Sequence, residues 1–394
     1  MVSHNSIPWF ADMRANNPVF YDPEFVFYYG VKGAWQVFRH KEAKRVLSDY
    51  QYFSNLFIPD LGKNIMGRNV NQSDPPDHKK LRSLVAKVFV PAVISKHKDW
   101  IKQQCEEILE PWLEKGEMDF IHDFAIALPN RVIAQILGIP AQDHAQVHEW
   151  VTTIVTNVKT MEEMEASFAA QQSIAGYLEK MMELRRNDPQ DDLVTHLLQS
   201  EVNGERLGKE DLLGTVVGMF LAGFETTASL LGNVMYTFCQ HPEVLQHLLD
   251  HPEDYDKIIN EVLRVLPSAK SMTRVAKEDL ELGGQQIKKG DYINIWLISG
   301  NYDPEVFPDP ETFDFNRPNL ADTLSFGHGI HYCFGVPLTK LETQIALDVV
   351  FSRIRDVQIK KGATLEMTPS TIITGFQSLP VTFSKIKELS DVMQ

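Results

Sequence analysis

The chain has 394 residues and a mass of 44.9 kDa, with 43% hydrophobic and 23% charged residues. That balance supplies a large apolar core and excludes a disordered or collagen-like chain. Thirty-eight basic against fifty-three acidic side chains leave a net charge of −15, and no basic cluster is large enough to form a nucleic-acid groove.

The N-terminal stretch MVSHNSIPWFADMRANNP has neither a basic region nor an apolar run of the signal-peptide kind, so a cytoplasmic chain is expected. WFADMRANN reads as a short helix, VFYYG and AWQVFR as strands, and Lys41 to Leu47 as an amphipathic helix. Residues 51–76 are irregular. From Asp77 to about His251 the pattern is largely helical, broken at Pro91, at LGIP (Leu137 to Pro140), at NDPQ (Asn187 to Gln190) and at NGE near Asn203. Within it, Leu212 to Phe238 carries a single charge, Glu225, and is long enough to cross a bilayer. No second apolar span accompanies it, and a carboxylate at mid-depth is costly. It reads instead as the central helix of a soluble protein with no membrane anchor.

Tyr255 to Leu266 is a further helix, stopped by Pro267, and ELGGQQIKKGDYINIWL gives short strands with Gly turns. Residues 301–335 are rich in Pro, Asp and Gly without periodicity; a loop of that length is usually functional. Pro337 to Ile354 resumes a helix and two strands follow. The expected architecture is one domain over 1–394, mainly α, with a smaller β-rich lobe formed by N-terminal and C-terminal strands.

Three cysteines, at 105, 239 and 333, are too few and too scattered for a disulfide framework or a CxxC zinc half-site. Cys105 and Cys239 sit in helical patterns and read as buried structural thiols. Cys333 differs. It lies in Phe326-Gly-His-Gly-Ile-His-Tyr-Cys333-Phe-Gly335, immediately before a helix. Glycines permit a tight turn, loop amides can point at sulfur, and Phe326 can keep the sulfur dry. The helix N-terminus is expected to lower the thiol pKa.

The spacing FGxGxHxCxG resembles the haem-binding signature of the cytochromes P-450, with Phe326, Gly327, Gly329, His331, Cys333 and Gly335 all matching. The resemblance implies that family's triangular-prism fold, with the long central helix over haem b and Cys333 as axial iron ligand, whose electron-rich sulfur favours O–O cleavage. Other motifs stand upstream in the family's order. Glu261-Val-Leu-Arg264 matches ExxR and places carboxylate and guanidinium on one helix face; FPDPETFDFNRP resembles the meander, whose Arg317 would complete a bracing network. Ala222-Gly-Phe-Glu225-Thr226-Thr227 resembles the oxygen-activation motif. Ala222 and Gly223 would let a cofactor lie against the helix backbone, and Glu225 with Thr226 could relay protons. His78 and Arg82, spaced four apart, resemble the family's propionate-binding pair, joined by Arg274 and His331. Tyr302 (NYDP) and Val336 depart from the usual Arg and Ala.

No GxGxxG follows a strand, so the chain shows no nicotinamide or flavin module. By resemblance, electrons come from a ferredoxin or flavodoxin with an NAD(P)H-dependent reductase. Lys79, Lys80, Arg82, Lys87, Lys96 and Lys98 gather where that partner would dock. The pocket lining implied by the family includes the 56–72 loop, Phe220, Ala222, residues 268–272 and Ile372 to Phe376 with Ile373. It is mostly apolar and suits a hydrophobic small molecule. Lys270 breaks the pattern, either meeting a substrate carboxylate or pointing to solvent. The implied activity is O2-dependent monooxygenation. Alternatives are a peroxygenase or isomerase, members of which typically lack the acid–Thr pair, and a non-catalytic haem protein.

Overall fold

Helices carry most of the chain in the computed structural model, which describes residues 6–26, 32–57, 69–155, 161–202 and 204–386. The longest, Lys209–Gln240, runs 32 residues. Leu212–Phe220 and Thr227–Met235 are buried on every side, which is why this helix is apolar all round. Its most membrane-like stretch is 72% buried inside the protein, so its apolar surface is consumed by packing.

The helix Ala127–Leu137 packs along the central helix in the opposite direction. Ile121, just ahead of it, lies over Gly232, and Ile133 sits 3.0 Å from where a Cβ on Gly223 would be. It stops at Gly138, whose φ of +83° only glycine adopts readily; this is the LGIP turn. His144–Val155 and Met161–Asn187 follow. Lys98–Leu113 packs against Val336–Arg353, and Tyr255–Val265 packs on the central helix. His40–Ser48, Tyr255–Val265 and Val336–Arg353 lie within two residues of the expected bounds.

A five-stranded sheet runs in the order Val19–Val26, Lys32–Val37, Tyr292–Trp296, Ser271–Ala276, Phe53–Ser54. Lys32–Val37 and Tyr292–Trp296 pair in parallel; the other neighbours are antiparallel. Val37, Ile293 and Ile295 form a core with Ala43, Val46 and Leu47 of the helix His40–Ser48.

The C-terminal strands do not join this sheet, contrary to the expected lobe. Pro380–Lys385 pairs with Ile354–Ile359 on one side and Glu117–Asp119 on the other in a separate three-stranded sheet. The reason is covalent: Ile354 follows directly from the helix Val336–Arg353, which is anchored in the helical core, so the strand is delivered there. The third strand, Glu117–Asp119, is three residues long, too short to leave an alternating pattern. Asn301 ends the short helix Leu297–Asn301, and residues 302–335 contain, besides turns and bends, only two single-turn 3-10 segments, Leu320–Asp322 and Gly329–His331. Residues 27–31 of the strand-like stretch and 58–68 of the expected pocket loop lie outside the described residues.

Candidate active site

The cysteine loop is held by backbone geometry. Gly327 and Gly329 have φ of +71° and +73°. A Cβ on Gly329 would sit 2.8 Å from Cα of Ser48, so the loop can press on the helix His40–Ser48 only through glycine. The Cys333 amide donates to the Phe326 carbonyl at 3.0 Å, closing the loop across its own ends. Burial pushes the Cys333 thiol up, and this outweighs the Gly335 and Val336 amides and the Arg82 guanidinium, which favour thiolate. The direction is opposite to the expected depression: the helix-start amides are in place, but burial of the thiol outweighs them.

Behind the loop stands a wholly buried ion cluster. Arg264 Nε and Nη2 donate to Glu261 Oε2 and Oε1 at 2.7 and 2.8 Å, and both residues have zero exposure. Arg264 Nη1 reaches the carbonyls of Asn301 and Pro310, and Nη2 that of Thr312. Arg317 Nε donates to Glu261 Oε1 at 3.3 Å, as does the Asp314 amide at 2.9 Å. A structureless stretch is thus fixed by one bidentate pair whose spare donors satisfy its carbonyls.

On the central helix, burial relaxes locally. Ala222 is exposed, and Glu225 and Thr226 are half-buried, between two fully buried stretches. Thr226 Oγ1 donates to the Ala222 carbonyl at 2.8 Å and Thr227 Oγ1 to that of Gly223 at 3.0 Å, a back-bonding that bends helices. Thr227 Oγ1 also lies 3.5 Å from Thr339 Oγ1 on the helix that follows Cys333, so the acid–alcohol pair and the cysteine loop meet in one region. Burial raises the Glu225 pKa, favouring the protonated acid.

Four nitrogen-bearing side chains converge beside them. The His78 and His331 rings are 4.1 Å apart, and their Nε2 atoms are buried without a hydrogen-bond partner among the described residues. Burial, then Arg82, lowers His78 to about 4; His331 is also pushed well down, by burial and then by Arg274, His78 and Arg82. Burial lowers Arg274 to about 10, and its Nη1 donates to its neighbour's carbonyl, Thr273. Arg82 Nη2 donates to the Tyr332 carbonyl at 2.6 Å, tying its helix to the cysteine loop. Orphaned donors and crowded cations fit a dianionic partner such as the two propionates of haem b, and a thiol in the same region fits its iron.

Asn55, which the sequence gave no reason to single out, lies with its Nδ2 3.2 Å from His331 Nδ1 and so orients that ring. Phe326 packs half-buried beside Tyr332. Phe220 is 1% exposed within the core. Ile373 bridges Ala269. Lys270 corrects the solvent-pointing alternative: it is 1% exposed, Nζ donates to the Ser370 carbonyl at 2.9 Å, and burial lowers it to about 8.

The sequence profile of the family described as Cytochrome P450 matches residues 11–251 and 255–380. The chain belongs to the cytochrome P450 family. This P450 is 33% identical to Cytochrome P450 109 of Bacillus spizizenii over 95% of its own length and 91% of that protein. It is 32% identical to the erythromycin C-12 hydroxylase of Saccharopolyspora erythraea, covering 95% and 94% of the two chains. The structure of CYP109E1 from Bacillus megaterium in complex with testosterone superposes with a TM-score of 0.88 at 30% identity, covering 96% and 97%. The P450 is accordingly a haem-b monooxygenase, an oxidoreductase that uses O2 on hydrophobic substrates with electrons from a redox partner.

Proposed function

We propose that Cys333 is the thiolate ligand of the haem and that the 394 residues work as one cytoplasmic domain, hydroxylating or epoxidising a hydrophobic molecule of steroid or macrolide size. Relatives that hydroxylate erythromycin or bind testosterone support that size class. When bound, haem supplies one-electron chemistry and the activation of O2. His78, Arg82, Arg274 and His331 would hold its propionates, and exposed Ala222 would let it lie against the helix, whereas the room at Gly223 is taken by Ile133.

The observation that carries the reading is Glu225, whose pKa burial raises, beside Thr226 on the open face of an otherwise buried helix. Glu225 stores the proton. Thr226 Oγ, releasing the Ala222 carbonyl, accepts it and passes on its own. That pair favours monooxygenation over the peroxygenase and isomerase alternatives. In the dithionite-reduced protein, carbon monoxide is expected to give a strongly red-shifted Soret band, lost in Cys333→Ser; a band at the histidine-ligated position in gently prepared protein would refute the thiolate. Thr226→Ala is expected to raise hydrogen peroxide released per NAD(P)H consumed by severalfold, and unchanged coupling would remove Thr226 from the relay.

The electron donor is proposed to be an acidic ferredoxin or flavodoxin, served by an NAD(P)H-dependent reductase. Tyr332 and Val90, each 43% exposed, give an apolar centre near the cysteine loop, and Lys79 and Lys87 stand exposed on the Arg82 segment tied to that loop. Such a surface steers acidic partners. Charge reversal at Lys79 and Lys87 together is expected to slow reduction roughly tenfold at low ionic strength and to flatten its salt dependence. Stopped-flow reduction that is unaltered in both respects would place docking elsewhere.

A further inference from the structure

We propose that Lys270 is a positioning residue that sets substrate specificity: its ammonium straps residues 370–374 in place as an apolar wall beside Thr226. This deepens the monooxygenase reading and rests on it.

One face of the central helix shows where the wall stands. Gly218, Ala222, Thr226, Ser229 and Asn233 share an arc of about 80° on that helix. At Gly218 the face is covered, since a Cβ there would sit 3.2 Å from the Asn69 side chain. At Ser229 and Asn233 it is covered again: Ser229 Oγ donates to the Thr374 carbonyl, and Asn233 Nδ2 reaches the same oxygen at 3.1 Å. The two covers stand about 16 Å apart along the helix. Between them Ala222 is exposed and Thr226 half-buried. Residues 370–374 thus form the rim of that opening, about one turn beyond Thr226. Residues 268–272 join this rim to the cysteine loop, because Met272 lies 3.5 Å from where a Cβ on Gly327 would be.

The rim is knit internally and tied down from residues 268–271. Ser370 Oγ accepts the Ile372 and Ile373 amides, both at 3.1 Å, which makes residues 370–373 one closed turn. Lys270 Nζ donates to the Ser370 carbonyl at 2.9 Å, and the Lys270 amide to that of Ile372 at 2.6 Å. Ser271 Oγ donates to the Thr371 carbonyl at 2.8 Å, and the Thr374 amide to that of Ser268 at 2.9 Å. Ile372 and Ile373 are apolar yet half-buried, and neither joins an apolar core of the described residues. They are the surface this turn offers an apolar substrate. An ammonium at 1% exposure is costly unless hydrogen-bonded. Lys270 therefore holds the Ser370 carbonyl to one position, where an aliphatic side chain would only fill space.

Imidazole and 4-phenylimidazole, which bind haem iron directly, probe the wall without knowledge of the substrate. Spectral titration of each gives the preference for the phenyl group as a ratio of dissociation constants. In Lys270→Met, with the carbon-monoxide band and imidazole affinity at wild-type values, that preference is expected to shrink about tenfold. Hydrogen exchange of the amides in residues 370–374, read by mass spectrometry, is expected to run about tenfold faster in the same variant. If Lys270 only stabilises the fold, Tm falls while preference and exchange stay at wild-type values; that pattern overturns the proposal. A wild-type protein with no phenyl preference overturns it too. Should Lys270→Met lose haem, Ser271→Ala decides, because it removes only the Thr371 tie: a reduced preference there supports the strap, and unchanged preference and exchange refute it. A carbon-monoxide band at the histidine-ligated position in wild type would sink the monooxygenase reading itself, whereas a thiolate band with an unmoved preference sinks this inference alone.

Discussion

Alanine at Arg264 is expected to cost about 3–5 kcal/mol of folding stability and to leave a protein that does not retain haem. The substitution removes the sole bidentate partner of Glu261 in a place with no solvent to replace it, as both side chains have zero exposure. It also strips the Arg264 donors from the carbonyls of Asn301 and Pro310, and leaves that of Thr312 to Arg317 Nη2 alone. Arg317 is left with one contact to Glu261 at 3.3 Å, which does not neutralise a carboxylate in that setting. Arg264→Lys is expected to rescue little, since an ammonium cannot reproduce the fork. Urea unfolding and haem content measure both effects, and an Arg264→Ala protein within 1 kcal/mol of wild type would falsify the bracing role.

The second large effect is on stability against pH. Glu342, on the helix after the cysteine loop, is 2% exposed, and its Oε1 has no partner among the described residues. Burial pushes its pKa up to about 8 from an ordinary 4.5. The folded chain therefore keeps this proton where the unfolded chain has lost it. Stability is greatest below about pH 4.5 as far as this group goes, declines as pH rises, and the full penalty is present above about 8. The shift corresponds to on the order of 5 kcal/mol. Glu342→Gln, of the same shape and always neutral, should remove that slope: the two proteins match near pH 5, and the variant melts several degrees higher near pH 8. Parallel melting curves from pH 5 to 8.5 would show that Glu342 ionises freely.

What could be read from the sequence was what is local. The cysteine loop, ExxR and the acid–Thr pair are short stretches whose residue types follow from contacts within a turn or two, and the long helices declare themselves by period. What could not be read was set by distant chain. Lys270 seemed a choice between solvent and substrate, because nothing near it in sequence announces the Ser370 carbonyl a hundred residues on. The direction of the thiol shift is not legible in the loop itself, because amide geometry is local while burial is global. Asn55 sits in an ordinary context, and only the fold brings it to His331.

The parallel pairing of Lys32–Val37 with Tyr292–Trp296 has a consequence for how the protein is made. The ribosome must add about 250 residues after the first strand before its partner exists. At about 5–20 residues per second that is roughly 12–50 seconds in which an apolar strand has an unsatisfied edge. Ile293 and Ile295, which finish the sheet, come only about thirty residues before the cysteine loop. Sheet closure and completion of the haem-binding loop therefore fall almost together at the end of synthesis. Yield in a production host should respond to chaperone capacity, slower translation and haem supply during that late window more than to the codons or sequence of the first strands.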